Sequence, residues 1–229
     1  MAAMRIETLT SENDVIRITK ECPKWVFRGV HDAERHLLIP NIGRNIPTEK
    51  RVDLLNREKG ILKRFREFSA AYQVPANTSD WDLLAIAQHH GLSTRLLDWT
   101  TNPLVALFFA TQKTDLTTCA VYACIGEGAM TRPSDDPFAP NGDYWFTPAH
   151  MSPRISAQSA IFSIQDDPMT EFRHADIRKF LIEADLKNVI RILLRKWGIH
   201  EQSLFPGMDG IAARLNHAIE ALRASETAS

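Results

Sequence analysis

The sequence predicts an α+β protein with a single domain, in which helices flank or split a central mixed or antiparallel sheet. Its 229 residues fit one domain. Hydrophobic residues make up 44% of the chain and charged residues 24%, the usual proportions of a globular protein that buries a core. Predicted strands and helices follow one another without a regular βαβ alternation, and this order disfavours a doubly wound parallel sheet.

Aromatic, β-branched and helix-capping residues predict the elements of the N-terminal half. The predicted strands are Arg5–Leu9 and Lys24–Val30. The predicted helices, which show apolar residues at helical spacing, are Asp14–Glu21, Thr48–Tyr72 and Trp81–His90. One apolar stripe of the second helix is expected to face the core, formed by Val52, Leu55, Ile61, Leu62, Phe65 and Phe68.

The C-terminal half continues to mix the two kinds of element. Ser93–Asp98 is predicted to be extended, and the predicted strands are Cys119–Ile125, Ser156–Ile164 and Lys179–Glu183. The predicted helices are Pro103–Gln112, Asp185–Trp197 and Gly207–Arg223, with Asp209 as an N-cap of the last. Because the first of these helices is apolar nearly all round, we expect it to be buried.

Two segments differ in composition from the rest. Gly126–Pro153 contains five prolines and a pair of adjacent acidic residues, which predicts an irregular surface insertion that is a candidate lid. Ala224–Ser229 is small and polar, and we expect it to be a disordered tail.

The charge balance gives no overall signal for nucleic acid or membrane, because the net charge is −1. Two local basic faces are nevertheless candidate nucleic-acid contacts. Arg44–Glu67 holds eight basic and four acidic residues, and Lys187, Arg191 and Arg195 fall at helical spacing on one stripe. Aromatic residues are not interleaved with either face, which disfavours single-strand binding and leaves a solvated surface as the simpler interpretation.

The three cysteines, Cys22, Cys119 and Cys124, predict neither a disulfide framework nor a zinc site, since their number is odd and no CxxC spacing occurs. No metal site is therefore predicted. The last two flank a predicted buried strand and are expected to be inert core thiols. The N-terminus lacks a long apolar run, so we expect a cytoplasmic protein without a membrane segment.

Three sequence blocks carry a resemblance to one family. WVFRGV at Trp25–Val30, AQHHGLSTRLLDWTTNPLVALFFA at Ala87–Ala110 and EQSLFPGMDGIAARL at Glu201–Leu215 resemble the FRG domain family, and the RxxxQ pattern at Arg154–Gln158 accompanies them. The resemblance implies an FRG domain over residues 1–223, with its core match at 25–215. Fold membership alone does not name a reaction.

A weaker resemblance points to chemistry. A strand ending in Arg28-Gly29, a strand with small hydroxyl residues, a buried helix ending in FA and a hydrophobic strand are similar to the order found in toxin-type ADP-ribosyltransferases. That resemblance implies an ADP-ribosyltransferase-like fold and NAD as cofactor. It also implies transfer to a protein or nucleic-acid acceptor in bacterial toxin–antitoxin or anti-phage systems. The chain departs from the pattern at the late-strand glutamate, where Gln158 stands, with Glu201 as the alternative carboxylate.

Arg28 is the principal candidate residue. An arginine at the end of an apolar strand presents a planar fork suited to phosphate, and Gly29 would let a ligand approach the backbone. Asp98 is predicted either to pair with Arg28 in a structural ion pair or to act as a general base. His89 is predicted to contact a ribose hydroxyl or carry a proton, with a helix cap as its structural alternative.

The block around Asp98 supplies the remaining predicted contacts to NAD, which are Gln88, Thr94, Arg95, Trp99 and Thr100. Two of them have structural alternatives: Arg95 could form a bridge to a carboxylate, and Trp99 could fill the core instead of stacking on a base. Two functions therefore stay open. The chain is either an NAD-dependent transferase or a non-catalytic FRG module that binds a nucleotide-type ligand or nucleic acid.

Overall fold

A mixed sheet forms the centre of the computed structural model, which describes residues 4–20, 24–72, 74–113, 115–126, 136–149 and 152–216. Seven strands within these residues form it in the spatial order β1-β7-β4-β2-β3-β6-β5. The strands are β1 Arg5–Leu9, β2 Trp25–Val30, β3 Leu97–Thr100, β4 Cys119–Ile125, β5 Tyr144–Phe146, β6 Ala160–Ile164 and β7 Arg178–Ile182. β1 and β7 are parallel and the other neighbours antiparallel, which confirms the predicted α+β class.

Helices cover the sheet and extend beyond its edge. They are α1 Glu12–Thr19, α2 Arg51–Ser69, α3 Asp80–His89, α4 Pro103–Thr111, α5 Pro153–Ala157, α6 Ala184–Lys196, α7 Glu201–Leu204 and α8 over residues 208–216. Short 3₁₀ turns occur at Asn41–Gly43, Thr48–Lys50 and Ala70–Tyr72. Within the described residues, no helix is both long enough and apolar enough to cross a membrane.

The alternation of β4 shows how the sheet separates two hydrophobic clusters. Cys119, Val121 and Ala123 pack in one cluster with α1, α4 and α6, while Tyr122 and Cys124 pack in another on the opposite face. This is the two-residue period of a strand that is buried on both faces. Both thiols are buried, and burial raises the pKa of each to about 12, as expected of inert core cysteines.

Helix α4 lies directly against β2, and Gly29 makes this approach possible. A Cβ atom at position 29 would lie 1.9 Å from the carbonyl oxygen of Ala106 and 2.7 Å from the amide nitrogen of Ala110. The helix is buried almost all round, as its sequence predicts, because it packs between the sheet and α1 and α6. The glycine thus serves helix–strand packing. Its predicted second role, close approach of a ligand to the backbone, stays a prediction.

The sheet nearly splits between β2 and β3. β2 pairs with β4 from Trp25 to Val30, but within the described residues it meets β3 at one residue pair, Phe27 opposite Thr100. Beyond that pair the strands separate and leave an opening, which we call the fork. The seven strands nevertheless form one sheet, so of the two predicted arrangements the helices flank the sheet and do not split it.

Several predicted elements differ in extent. The α2 stripe is wrong in part, because Val52, Ile61 and Phe68 are exposed while Leu62 is buried. The predicted strand Ser156–Ile164 starts as α5, and only its second half is β6, since Ser152 and Pro153 supply an N-cap and a first-turn proline.

Other predictions concern the C-terminal half. The predicted insertion Gly126–Pro153 includes β5, while residues 127–135 and 150–151 lie outside the described part. Asp209 lies inside α8 and is not its N-cap. The end of the predicted last helix and the tail Ala224–Ser229 also lie outside the described residues, as does Cys22.

Candidate functional site

A cavity of about 430 Å³ opens at the fork, and α3, α4 and α5 complete its walls. Its charged lining residues are Arg28, Arg44, Arg154 and Asp98. Its neutral polar lining includes His31, Asn41, Gln88, His89, Thr100 and Gln158. Three guanidinium groups against one carboxylate make this cavity a cationic site.

Arg28 bridges the fork. Its Nη1 donates to the backbone carbonyl oxygen of Asp98 at 2.6 Å and lies 3.5 Å from the carboxylate oxygen Oδ2 of the same residue. Arg28 faces Tyr122 in the register of β2 and β4, whereas Asp98 faces Phe162 in that of β3 and β6. Strand alternation therefore directs the two side chains from different faces of the sheet, and they meet because the strands separate.

The Arg28 side chain is only 13% exposed, while that of Asp98 is 58% exposed. Within the described part of the chain, the buried Nε of Arg28 has no hydrogen-bond partner. The predicted Arg28–Asp98 pair is thus present. The pair also has a role that the sequence does not reveal. The guanidinium group donates a hydrogen bond to a backbone carbonyl oxygen at the place where β2 and β3 no longer pair with each other.

A chain of hydrogen bonds holds the Asp98 carboxylate. Gln88 Nε2 at the end of α3 donates to Asp98 Oδ1, and Thr94 Oγ1 donates to Gln88 Oε1. The Thr94 hydroxyl also accepts from the amide of Leu96 at 3.2 Å. Gln88 borders the cavity, whereas Thr94 is buried outside its lining and holds Gln88 in place. The predicted contact of Thr94 with NAD is therefore wrong, because its hydroxyl group faces Gln88 and not the cavity.

Arg44 and Arg154 are the residues that sequence reasoning missed as site residues. Arg44 Nε donates to the carbonyl oxygen of Ile39 at 2.9 Å, and the Arg154 guanidinium carbon lies 4.5 Å from the ring centroid of Phe205. Both side chains are partly buried, and burial lowers the pKa of each. Among the described residues, neither has a carboxylate within ion-pair distance, although the cavity encloses them.

The sequence contained weak signals for both arginines. Arg154 opens the RxxxQ pattern, and Arg44 begins the basic face Arg44–Glu67. A single sequence does not show which of its many arginines turn inward, because that depends on the loop and helix that carry them.

His89 lies in the cavity wall with its Nε2 3.3 Å from Ser152 Oγ. Burial, and then the charges of Arg154 and His90, lower the pKa of His89. Since a charged helix cap would raise this pKa, the shift favours a neutral imidazole that can accept a proton over the structural alternative.

Gln158 ends α5. The resemblance to the transferases implied a position on a strand instead. Its Nε2 donates to the carbonyl oxygen of Leu204 at 3.1 Å, and its own carbonyl accepts from Thr100 Oγ1 at 2.7 Å. It borders the cavity but is committed to holding α5 against α7 and β3.

Glu201 does not reach this cavity. It lies at the start of α7 and lines a smaller cavity of about 20 Å³ with Arg191 and Arg195, where its Oε1 is 4.0 Å from Arg195 Nη2. The predicted carboxylate role of Glu201 beside Arg28 is therefore wrong, because α7 presents the residue to α6.

Arg95 forms a bridge to a buried carboxylate, which is the structural alternative to its predicted contact with NAD. It is 1% exposed and its Nε lies 2.9 Å from Oε1 of Glu58, which is 3% exposed. Its Nη1 also donates to the carbonyl oxygen of Pro137 at 2.8 Å. The predicted contact of Arg95 with NAD is wrong, because the side chain points away from the fork into a buried ion pair.

Trp99 also belongs to the core. Its ring is 3% exposed, donates Nε1 to Ser163 Oγ at 2.9 Å and packs edge-on against Trp145 and Phe172. Although the residue borders the cavity, no open ring face is left for stacking, so the predicted stacking role is wrong. Thr100, one residue on, borders the cavity on the other face of β3.

The two basic faces are partly neutralised within the fold. Arg51, Lys59 and Arg66 of the first face each form an ion pair with an aspartate. Lys187 of the second face is buried against Asp115 at 2.8 Å. Among the described residues, no group of three or more His, Cys, Asp or Glu side chains has the arrangement of a metal site.

Comparisons with known proteins give one family. Residues 23–118 match the FRG domain family. This span contains β2, α3 and β3, and so Arg28, Gln88, His89 and Asp98. Arg154–Gln158 lies beyond it. No curated protein and no solved structure matches the chain. The chain thus contains a segment, residues 23–118, that matches the FRG domain family.

Proposed function

We propose that the fork cavity binds NAD and that the protein is an NAD-dependent ADP-ribosyltransferase. The observation that carries this proposal is the presence of two partly buried arginines, Arg44 and Arg154, in a cavity whose one described carboxylate, Asp98, forms an ion pair with neither of them. Leaving a buried cation uncompensated is costly, so an anionic ligand is expected to complete the site. The planar guanidinium is suited to phosphate oxygens.

The cavity also suits the remainder of a nucleotide. Its volume of about 430 Å³ lies in the range typical of small-molecule sites. Leu92, Phe109 and Ile155 give it apolar wall area against which a base or a nicotinamide ring can pack. Gln88 and Asn41 offer amide groups for ribose hydroxyls, and the neutral His89 offers a further acceptor.

Asp98 would carry the chemical step, as the one carboxylate among the described residues that line the cavity. When the bond between the ribose carbon and nicotinamide breaks, its electron pair leaves with nicotinamide, and positive charge develops on the ribose. The Asp98 carboxylate, held by Gln88, would stabilise that charge. The acceptor atom then bonds to the ribose carbon and loses a proton, which the neutral His89 can take.

The test measures binding and turnover separately. Calorimetric titration of NAD and ADP-ribose is expected to show binding that weakens roughly tenfold or more in Arg44→Gln, because a charged hydrogen bond is lost. Arg35→Gln, which removes an exposed arginine outside the cavity, is the matched control. Nicotinamide release and ADP-ribose transfer are assayed with protein, RNA and DNA acceptors. Failure of the purified protein to bind either ligand would contradict the proposal.

A second function, a non-catalytic nucleotide-binding FRG module, is favoured by a specific observation. Asp98 is already engaged by Arg28 and Gln88, and Glu201 lies in another cavity, so among the residues that the structure describes no unengaged carboxylate faces the ligand. Tight binding of NAD with neither nicotinamide release nor transfer would support the module. Turnover that Asp98→Asn abolishes, with NAD affinity unchanged, would support the transferase. A bacterial toxin or anti-phage role belongs to the transferase alternative.

A further inference from the structure

We infer that Arg154, braced by Phe205, forms a second anion subsite, which binds a different phosphoryl group of the ligand from the one bound at Arg28 and Arg44. The inference rests on the proposed function in that the ligand carries phosphate. It adds that the cavity selects ligands with a diphosphate over ligands with a single phosphate, and that the turn following α7 belongs to the site.

The first subsite is the pair Arg28 and Arg44. Arg28 is tied to the backbone of Asp98 at the fork, and Arg44 is tied to the carbonyl oxygen of Ile39. Both guanidinium groups line the cavity at the fork, where burial and then the charge of Arg28 lower the pKa of Arg44. Two cations here make this the stronger position for one phosphoryl group.

Arg154 lies in a different part of the wall. It is carried by α5, next to Ser152, which contacts His89. Its guanidinium group lies against Phe205, in the turn that follows α7, whereas Arg44 is tied to Ile39 in the connection between β2 and α2. The two arginines are therefore held by different parts of the fold. Burial, and then the charge of Arg154, lower the pKa of His89.

Arg154 lies against Phe205 and keeps its donors free. Its guanidinium carbon Cζ lies over the Phe205 ring, 4.5 Å from the ring centroid. Phe205 is itself held by Phe109, whose ring centroid is 6.1 Å away. Within the described residues, the side-chain N–H groups of Arg154 make no hydrogen bond, so they are available to a ligand.

A second contact fixes α5 to the same turn. Gln158 Nε2 donates to the carbonyl oxygen of Leu204 at 3.1 Å, immediately before Phe205. The Leu204–Phe205 segment thus holds both ends of α5, one through Arg154 and one through Gln158. These contacts explain why the RxxxQ pattern at Arg154–Gln158, which lies beyond the FRG match, is placed against the cavity. Phe205 is thus a positioning residue for Arg154.

The test compares AMP, which has one phosphoryl group, with ADP-ribose and inorganic pyrophosphate, which have two. Binding is measured by calorimetric titration to the wild-type chain, Arg154→Gln, Arg44→Gln and the control Arg35→Gln. We expect Arg154→Gln to weaken ADP-ribose and pyrophosphate about tenfold or more and AMP less than about threefold. Arg44→Gln should weaken all three ligands, because the single phosphate of AMP takes the position with two cations.

Phe205 is tested by a graded series. Phe205→Ala should reproduce the Arg154→Gln loss for ADP-ribose, and the double variant should lose little more, since both changes remove the same interaction. Phe205→Tyr keeps the ring and should restore wild-type affinity. If Phe205→Ala does not fold, Phe205→Leu takes its place, because leucine fills space without offering an aromatic face.

The possible outcomes distinguish the second subsite from the proposed function. Equal losses for AMP and ADP-ribose in Arg154→Gln would overturn the second subsite in favour of one undivided anion site, as would wild-type affinity of Arg154→Gln for every ligand. If Arg154→Gln keeps wild-type affinity for every ligand, the proposed function stands as long as Arg44→Gln weakens the binding of ADP-ribose. Binding of pyrophosphate that depends on Arg154, without binding of ADP-ribose or NAD, would keep the subsite and overturn the proposed function. Absence of binding by all probes would overturn both.

Discussion

The guanidinium group of Arg28 donates to the backbone carbonyl oxygen of Asp98 at 2.6 Å, whereas the nearer carboxylate contact, to Oδ2, is 3.5 Å. The shorter contact is thus to a group that every residue at position 98 would supply. The two functions of the pair, joining two strands and presenting a carboxylate to the cavity, can therefore be separated by mutation.

Asp98→Asn is expected to change the free energy of unfolding by less than about 1 kcal/mol, because the Asp98 side chain is 58% exposed and an exposed ion pair contributes little. Arg28→Ala should cost more, about 1–3 kcal/mol, because it leaves the carbonyl oxygen at the fork without its donor. Urea denaturation of both variants checks this. Equal losses would mean that the ion pair, and not the backbone contact, joins the strands.

Gly29→Ala is expected to destabilise the fold by about 3 kcal/mol or more, because the new methyl group would force α4 away from β2. Gly60→Ala is the matched control. A Cβ atom there meets nothing within 4 Å, and replacing a glycine in the middle of α2 should stabilise by about 0.5–1 kcal/mol. Thermal and urea unfolding measure both. If the Gly29→Ala chain were stable but bound ligand less tightly, the result would support the predicted role of Gly29 in the approach of a ligand.

Glu58→Gln is expected to cost about 3–5 kcal/mol, because it leaves the buried Arg95 without its counter-charge. Lys59→Gln breaks the neighbouring ion pair with Asp136 at 2.8 Å, which lies at the surface, and should have little effect on stability. The contrast is measured by urea denaturation at neutral pH. A small effect of Glu58→Gln would indicate that Pro137 and Phe138 hold Arg95 without the carboxylate.

The unfolding free energy is expected to fall as the pH is lowered from 7.5 to 6.0. Burial lowers the pKa of His31, His36 and His89 in the folded chain, so around the usual histidine value near 6.5 the unfolded chain binds more protons. Acidification therefore favours unfolding. His89→Gln should reduce this pH dependence while keeping a partner for Ser152. Urea denaturation at each pH measures the unfolding free energy. If His89→Gln kept the full pH dependence, its assignment to His89 would be contradicted.

The sequence predicted most elements because their signals are local. The strand Cys119–Ile125 has the bounds that its apolar run indicates, and α4 is buried as its uniform apolar surface requires. Predictions that needed the third dimension were weaker. The α2 stripe is only partly buried, because the helix packs against α3 over a small area and the spacing of apolar residues does not reveal how much of a stripe is covered.

The candidate site divides in the same way. The sequence by itself determined the resemblance to the FRG domain family, the β2 arginine and the Gln88–Thr100 segment, since these lie in contiguous motifs. Only the tertiary structure decided that β2 and β3 separate, that Arg95 and Trp99 turn inward, and that Arg154 joins the cavity from a distant helix. The physical reason is that a motif specifies residue types and local backbone, whereas the direction and partner of a charged side chain depend on the elements packed around it.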